Sequence, residues 1–307
     1  MSILVVGSVA FDSVKTPFGE AKEILGGSAT YFSVSSSYFT DVRLVAVVGE
    51  DFGDGHGRVF DGRRIDLAGL QRRPGKTFRW RGEYGFDLNE ARTLETQLNV
   101  FQDFSPELPD NYRDCECVFL ANIDPDLQRR VLDQVRKPKL VACDTMNYWI
   151  GNKLDSLKKT LERVDLFIIN EAEARELAKE ANLVKAANKI LSWGPKTLIV
   201  KRGEYGSLMF SDSTVFSAPA YPLESVFDPT GAGDSFAGGV MGYLAANHLS
   251  CSSGISDSGL RQAIIFGSVM ASFNVEAFSL NRLSQLSYND IANRYKEFKK
   301  LTHFEDV

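Results

Sequence analysis

The sequence predicts an α/β protein: a doubly wound, mostly parallel sheet flanked by helices, with a small β lid. Three observations lead there. Short, nearly continuous apolar runs recur along the chain, as strands covered on both faces require. Stretches with helical spacing separate them, which is the alternation of βαβ units. Two other segments alternate polar and apolar residues, so they expose one face and stand apart from the main sheet.

In chain order, "ILVVG" (Ile3 to Gly7), "VRLVAVVG" (Val42 to Gly49), "CVFLAN" (Cys117 to Asn122), "KLVACD" (Lys139 to Asp144), "VDLFIIN" (Val164 to Asn170) and "TLIVKRG" (Thr197 to Gly203) read as strands. Helical patterns fall at 27–39, 54–64, 125–136, 153–162 and 171–193. Beyond Gly231 the chain reads as mostly helical, to 247 and then over 258–274 and 287–299. The alternating segments run from Phe11 to Leu25 and from Pro74 to Phe101, the second containing "KTFRWRGEYGF". A two-stranded piece is marginal alone, so they are expected to pair as antiparallel strands into a lid over 13–25 and 76–100. The apolar side chains Phe78, Trp80 and Phe86 on that lid suggest a homodimer in which two lids cover each other. No internal repeat or long linker divides the chain, which reads as one domain over 1–307.

Composition narrows the function. Lys and Arg total 35 against 40 Asp and Glu, a net charge of −5 with no basic block. Such a chain is a poor partner for nucleic acid or an anionic membrane. No apolar run approaches a membrane span, and the start "MSILVVGSVAFD" has no basic, signal-like region. The chain reads as cytoplasmic. Cys115, Cys117 and Cys143 sit in apolar runs, and with Cys251 and the scattered His56, His248 and His303 they form no metal-ligand spacing.

Polar residues follow nearly every predicted strand: Asp12, Glu50 and Asp51, Asn122, Asp144 and Asn147, Asn170 and Glu173, then Lys201 and Arg202. One such residue is commonly a helix cap. A full rim of them marks a ligand site at the strand C-termini of an open α/β sheet.

The most informative stretch is "FDPTGAGDSFAGG", Phe227 to Gly239. Gly231 and Gly233 let the backbone turn tightly and present bare N–H groups, and the helix that follows adds the positive end of its dipole. The result is an anion hole with a carboxylate, Asp234, at its mouth. Putting one anion where another binds is wasteful unless the carboxylate accepts a proton during the reaction. Attack of a hydroxyl on a phosphoryl group needs that pairing of donors and base. "GLQRRPGKT", Gly69 to Thr77, imitates a P-loop, but has five residues between its glycines, carries Pro74 and precedes no helix. It reads as the lead-in to a lid strand.

These residues resemble the ribokinase-like carbohydrate kinase family, also called pfkB, whose members phosphorylate sugars and nucleosides. "DPTGAGDSFAGG" is similar to the family's C-terminal signature, and "GGSATYFS" (Gly26 to Ser33) to its N-terminal double-glycine motif. "VGEDFGDG", "NEAE" (Asn170 to Glu173) and "KRGEYG" (Lys201 to Gly206) fall in the family's order, so the resemblance spans the chain from Gly7 to about Ser279. It implies Asp234 as catalytic base and the backbone of Gly231, Ala232 and Gly233 as anion hole. It implies that Asn170 and Glu173 place Mg2+ and the phosphates of ATP, and that Lys201, Gly203, Gly206, Ser268 and Asn274 line the nucleotide. Asp228 and Thr230 match positions that hold a monovalent cation, K+, in some members. Asp12, Gly26 and Gly27 match acceptor-contacting positions, with Tyr31 and Asn122 expected beside them.

Two departures bear on the acceptor. Ala10 and Tyr31 stand where many sugar kinases have asparagine, so two hydroxyl-binding amides are gone. Tyr31, Phe32, Trp80, Tyr84, Tyr148 and Trp149 are candidates for an aromatic wall against a planar group. The expected activity is transfer of the γ-phosphoryl group of MgATP to a hydroxyl of a small molecule, a sugar or sugar derivative. The alternatives are a nucleoside kinase and a non-catalytic nucleotide sensor, and an intact Asp234 argues against the sensor.

Overall fold

The computed structural model describes residues 1–211, 214–247 and 255–303; Cys251 and His248 lie outside them. The first half comprises β1 (Ser2–Val6), β2 (Ala10–Thr16), β3 (Gly19–Gly26), α1 (Ser28–Ser36), β4 (Asp41–Val48), α2 (Asp54–Gly57), β5 (Ile65–Arg72), β6 (Phe78–Tyr84) and β7 (Ala91–Gln97). Then follow β8 (Cys117–Leu120), α3 (Pro125–Leu132), β9 (Leu140–Cys143), α4 (Asn147–Asn152), α5 (Leu154–Leu161), β10 (Leu166–Asn170), α6 (Glu171–Ala178) and α7 (Leu183–Leu191). The chain continues with β11 (Thr197–Lys201), β12 (Ser207–Ser211), β13 (Val215–Ala218), α8 (Ala232–Asn247), α9 (Asp257–Asn274) and α10 (Tyr288–Thr302).

The main sheet has the order β13-β12-β11-β10-β9-β8-β1-β4-β5. From β11 to β5 its neighbours pair in parallel, whereas β12 and β13 add an antiparallel edge. Strand alternation divides the core. Ile3 and Val5 enter one buried cluster with α1, α8 and α9 residues, while Leu4 and Val6 enter another with residues of α3, α5, α6 and α7. Both faces are therefore covered, which is why the strands read as unbroken apolar runs.

Three elements differ from the sequence reading. The pattern at 54–64 yields only the short α2, and the chain then adds an edge strand, β5, beside β4. The helix expected over 171–193 breaks at Lys179, whose left-handed backbone (φ 53°) caps α6 before α7 begins. The lid is a four-stranded sheet, β3-β2-β6-β7, built from two antiparallel hairpins. Its central pair, β2 with β6, is parallel, because each hairpin joins the other through its first strand. Gly69 and Leu70 of the false P-loop lie inside β5, and the turn after it leads into β6.

Lid strand β6 is pinned at its root. Asp51 accepts hydrogen bonds from the Thr77 N–H (2.8 Å) and hydroxyl (2.6 Å) and pairs with Arg79 (2.8 Å). Of the apolar lid side chains, Phe78 stacks on Phe101 of its own chain at 5.2 Å, and Trp80 donates its Nε1–H to Thr93 at 3.1 Å. Phe86 remains exposed.

Candidate active site

Parallel pairing brings the ends of β9, β10 and β11 to one edge of the sheet. Asn170 closes β10, Lys201 closes β11, and Asp144 follows β9. Across from them α8 begins at Ala232, so Gly231, Ala232, Gly233 and Asp234 form its first turn. A cavity of about 590 Å³ opens between these elements; Asn170, Lys201, Gly203, Gly206, Ala232, Gly233 and Ser268 all line it.

The turn before α8 depends on backbone shape. Gly231 has φ +75°, and a Cβ there would collide with the Tyr31 ring. The Ser235 N–H closes the first helical turn on Gly231 O (2.8 Å), while the Ala232 N–H bonds Pro229 O (3.1 Å). The Ala232 amide is therefore engaged, which leaves fewer of the three expected amides free. The Lys201 ammonium lies beside this turn: a Cβ placed on Gly233 would lie 2.5 Å from its Nζ. Burial raises the Asp234 carboxyl to about 6, and the nearby Lys201 charge works against that rise. Asp144 and Glu173 are also pushed up by burial and also feel Lys201. One ammonium thus sits among three carboxylates beside the first turn of α8.

Asn170 and Glu173 serve each other locally. Asn170 Oδ1 accepts the Glu173 N–H at 2.8 Å, and Glu173 Oε2 accepts the Asn170 N–H at 3.1 Å, a capping box for α6. Asp144 Oδ1 is buried without a hydrogen-bond partner among the described residues. Among the described residues, no group of three or more acidic, His or Cys side chains is arranged to hold a metal ion by itself. That suits Mg2+, which keeps several waters and takes one or two carboxylates with phosphate oxygens. Asp144 and Glu173 fit such an ion.

A second cluster lies on the lid side. Asp12 is buried within β2 rather than in a loop after β1, and burial raises its carboxyl to about 7, helped by Asp228 and Asp234. A Cβ on Gly26 would overlap the Asp12 carboxylate, and Gly27 (φ +94°) packs on the backbone of Ser8 and Ala10. Tyr31 is fully buried, its hydroxyl unbonded and within the field of Asp12, Asp228, Tyr84 and Asp234. Tyr84 arrives from β6, its hydroxyl 3.3 Å from Thr230 Oγ1. The fully buried Asp228 accepts N–H bonds from Thr230 (2.9 Å) and Ser279 (3.2 Å). Asp12, Gly26, Gly27, Tyr31, Asp228, Thr230 and Asp234 therefore share one region.

Some expected site residues face elsewhere. Asn274 does not line the cavity; its amide donates to Thr230 O (2.8 Å) and accepts from Ser235 (3.0 Å), bracing the α8 turn from behind. The Asn122 amide accepts from Trp149 Nε1 (2.9 Å) and approaches Met146 Sδ (3.2 Å), so it frames the rim. Phe32 stacks on Phe119 at 4.3 Å in the core, and Arg202 pairs with Glu171 at 2.6 Å. Conversely, Asp144 joins the charged cluster although only its place on the rim hinted at this. The hairpin tip Phe86 to Asn89 lines the cavity, and no local sequence signal pointed there.

Comparison with known proteins identifies the family of the chain. The chain matches the pfkB family of carbohydrate kinases over residues 3–285. It is 30% identical over 251 residues to the cytidine kinase of Thermococcus kodakarensis, spanning 79% of this chain and 88% of that protein. Its fold is similar to that of the nucleoside kinase of Methanocaldococcus jannaschii, an archaeal member of the ribokinase family (TM-score 0.76, 20% identity, 96% and 98% of the two chains). It is also similar to an E. coli protein assigned as ribokinase II and solved with ATP and Mg2+ (TM-score 0.77, 17% identity, 96% and 99%). The family match runs from β1 through the lid and the α8 turn to the segment after α9, so this chain belongs to the pfkB family of carbohydrate kinases, phosphotransferases that act on hydroxyl groups.

Proposed function

We propose that the protein transfers the γ-phosphoryl group of MgATP to a hydroxyl of a nucleoside, with Asp234 as general base. The observation that carries the chemistry is Asp234 at the start of α8, with the Lys201 ammonium beside Gly233. The acceptor oxygen attacks the γ-phosphorus, the bond to the β–γ bridging oxygen breaks, and Asp234 takes the hydroxyl proton. Gly233 N–H and Lys201 face the charge that develops on the transferred group. Bound Mg2+ would be held through Asp144 and Glu173 and would neutralise phosphate charge. A K+ ion belongs to this reading through Asp228 and Thr230. Asp12, close under Gly26 and Gly27, holds the acceptor hydroxyls, and the lid excludes water, which would otherwise compete as acceptor.

The cytidine kinase relative supports a nucleoside over a free sugar, as do Ala10 and Tyr31 in place of hydroxyl-binding amides. ADP release measured over a panel of cytidine, other nucleosides, ribose and fructose tests the acceptor. Turnover confined to the free sugars would replace the nucleoside reading with the sugar one. Asp234→Asn should lower turnover roughly 10²–10⁴-fold on the active acceptor. Retention of more than about a tenth of wild-type turnover would remove Asp234 from its role.

A further inference from the structure

The β6–β7 hairpin begins in the lid but ends at the cavity beside Lys201. Phe86, Asp87, Leu88 and Asn89, at its tip, line the same 590 Å³ space as Lys201, Gly233 and Ser268. The approach is close: Asn89 Oδ1 rests so near Gly203 that a Cβ there would overlap it. Phe86 is 91% exposed, a phenyl ring that its own chain leaves uncovered. The preceding residues are firmly held, with Tyr84 against Thr230 and the strand root clamped on Asp51.

We propose that this hairpin tip is part of the nucleotide-binding surface, with Phe86 covering the nucleoside portion of a nucleoside triphosphate. The inference rests on the kinase reading above. Its occupant follows from the two kinds of surface that line the cavity. Lys201 and Gly233 offer positive charge and backbone N–H to phosphates, whereas Phe86, Leu88, Pro222, Leu223 and Val226 offer apolar surface that phosphates cannot use. A molecule carrying a polyphosphate at one end and a planar ring at the other satisfies both. Bases stack favourably on aromatic side chains because every base presents a π-face. Tyr84 and Phe86 are two residues apart on one hairpin, so a nucleotide that holds Phe86 also restrains the hydroxyl that reaches the Asp12–Asp228 cluster.

The test needs no acceptor. Binding of the magnesium complex of a non-hydrolysable ATP analogue (AMPPNP) is measured by calorimetry on the full chain. Phe86→Ala should weaken it roughly tenfold, as loss of one base–aromatic contact does. Binding of magnesium tripolyphosphate, which has no base, should stay unchanged. Val215→Ala, an exposed apolar residue on edge strand β13 that does not line the cavity, serves as control. Amide exchange over residues 84–92 should slow on binding in the wild type and not in Phe86→Ala. Equal AMPPNP affinity in wild type and Phe86→Ala would overturn this inference alone. A wild-type chain that fails to bind AMPPNP at all would overturn the kinase reading and this inference with it.

Discussion

Asp12 should cost the ligand-free protein stability, and Asp12→Asn measures how much. Its carboxyl is held at about 7 against an ordinary 3.8, with burial as the largest cause and the charges of Asp228 and Asp234 adding to it. A rise of about three pKa units corresponds to ~4 kcal/mol disfavouring the ionised form. The sign follows from linkage. The folded state binds this proton more tightly than the unfolded state, so stability is greatest below about pH 4 and is lost as pH rises to about 7. Asparagine keeps the shape and removes the charge. At pH 8 it should stabilise the protein by about 2–4 kcal/mol once local relaxation is allowed for, a Tm gain of about 3–6 °C for a chain of this size. At pH 4, where the unfolded carboxyl is also partly protonated and little of the penalty has developed, the gain should shrink to about 1 °C. Thermal scans of both proteins at the two pH values provide the assay. The same gain at both pH values, or a loss at pH 8, would refute a buried, charge-strained Asp12. The functional cost should appear as an acceptor KM raised roughly 10–100-fold, the worth of a charged hydrogen bond. AMPPNP affinity should barely change, because Asp12 lies on the lid side of the site.

The pH profile of kcat/KM should fall on the acid side with an apparent pKa near 6, since Asp234 must be ionised to accept a proton and is held at about 6. Lys201→Met should move that limb upward, because Lys201 lowers the Asp234 value against burial; an unmoved limb would separate the two groups. Gly231→Ala should destabilise the fold by about 1–3 kcal/mol and lower activity, since it imposes positive φ on alanine and crowds Tyr31. Urea unfolding reads the first effect, and unchanged stability would mean the turn relaxes freely. The exposed strand β7, with Leu94 on it, leaves room for a second lid, and a homodimer through the lid is the expected state at tens of micromolar. Sedimentation as a 34.1 kDa species, with or without ATP, would sink the dimer.

Particular residues show how far the sequence reached. Runs such as Ile3 to Gly7 and Val164 to Asn170 specify strands locally, because burial on both faces leaves only apolar residues at successive positions. The stretch from Asp228 to Asp234 showed its glycine turn and helix start locally, because the residues that make them are neighbours in the chain. Local patterns failed where the deciding partner was distant. Nothing in "KTFRWRGEYGF" could say that β6 pairs in parallel with β2, since strand pairing depends on hydrogen bonds across sixty-eight residues (Asp12 opposite Trp80 is typical). The same holds for Asn274, a polar helix residue whose inward bonds to Ser235 and Thr230 exist only once α8 and α9 pack together. Phe86 is the clearest case. By sequence it is an apolar residue on an exposed hairpin, suited to meet another lid. Only the tertiary structure carries that hairpin past the Asp12–Asp228 cluster to the cavity beside Lys201, because the direction of a hairpin is set by the sheet that anchors it and not by the residues at its tip.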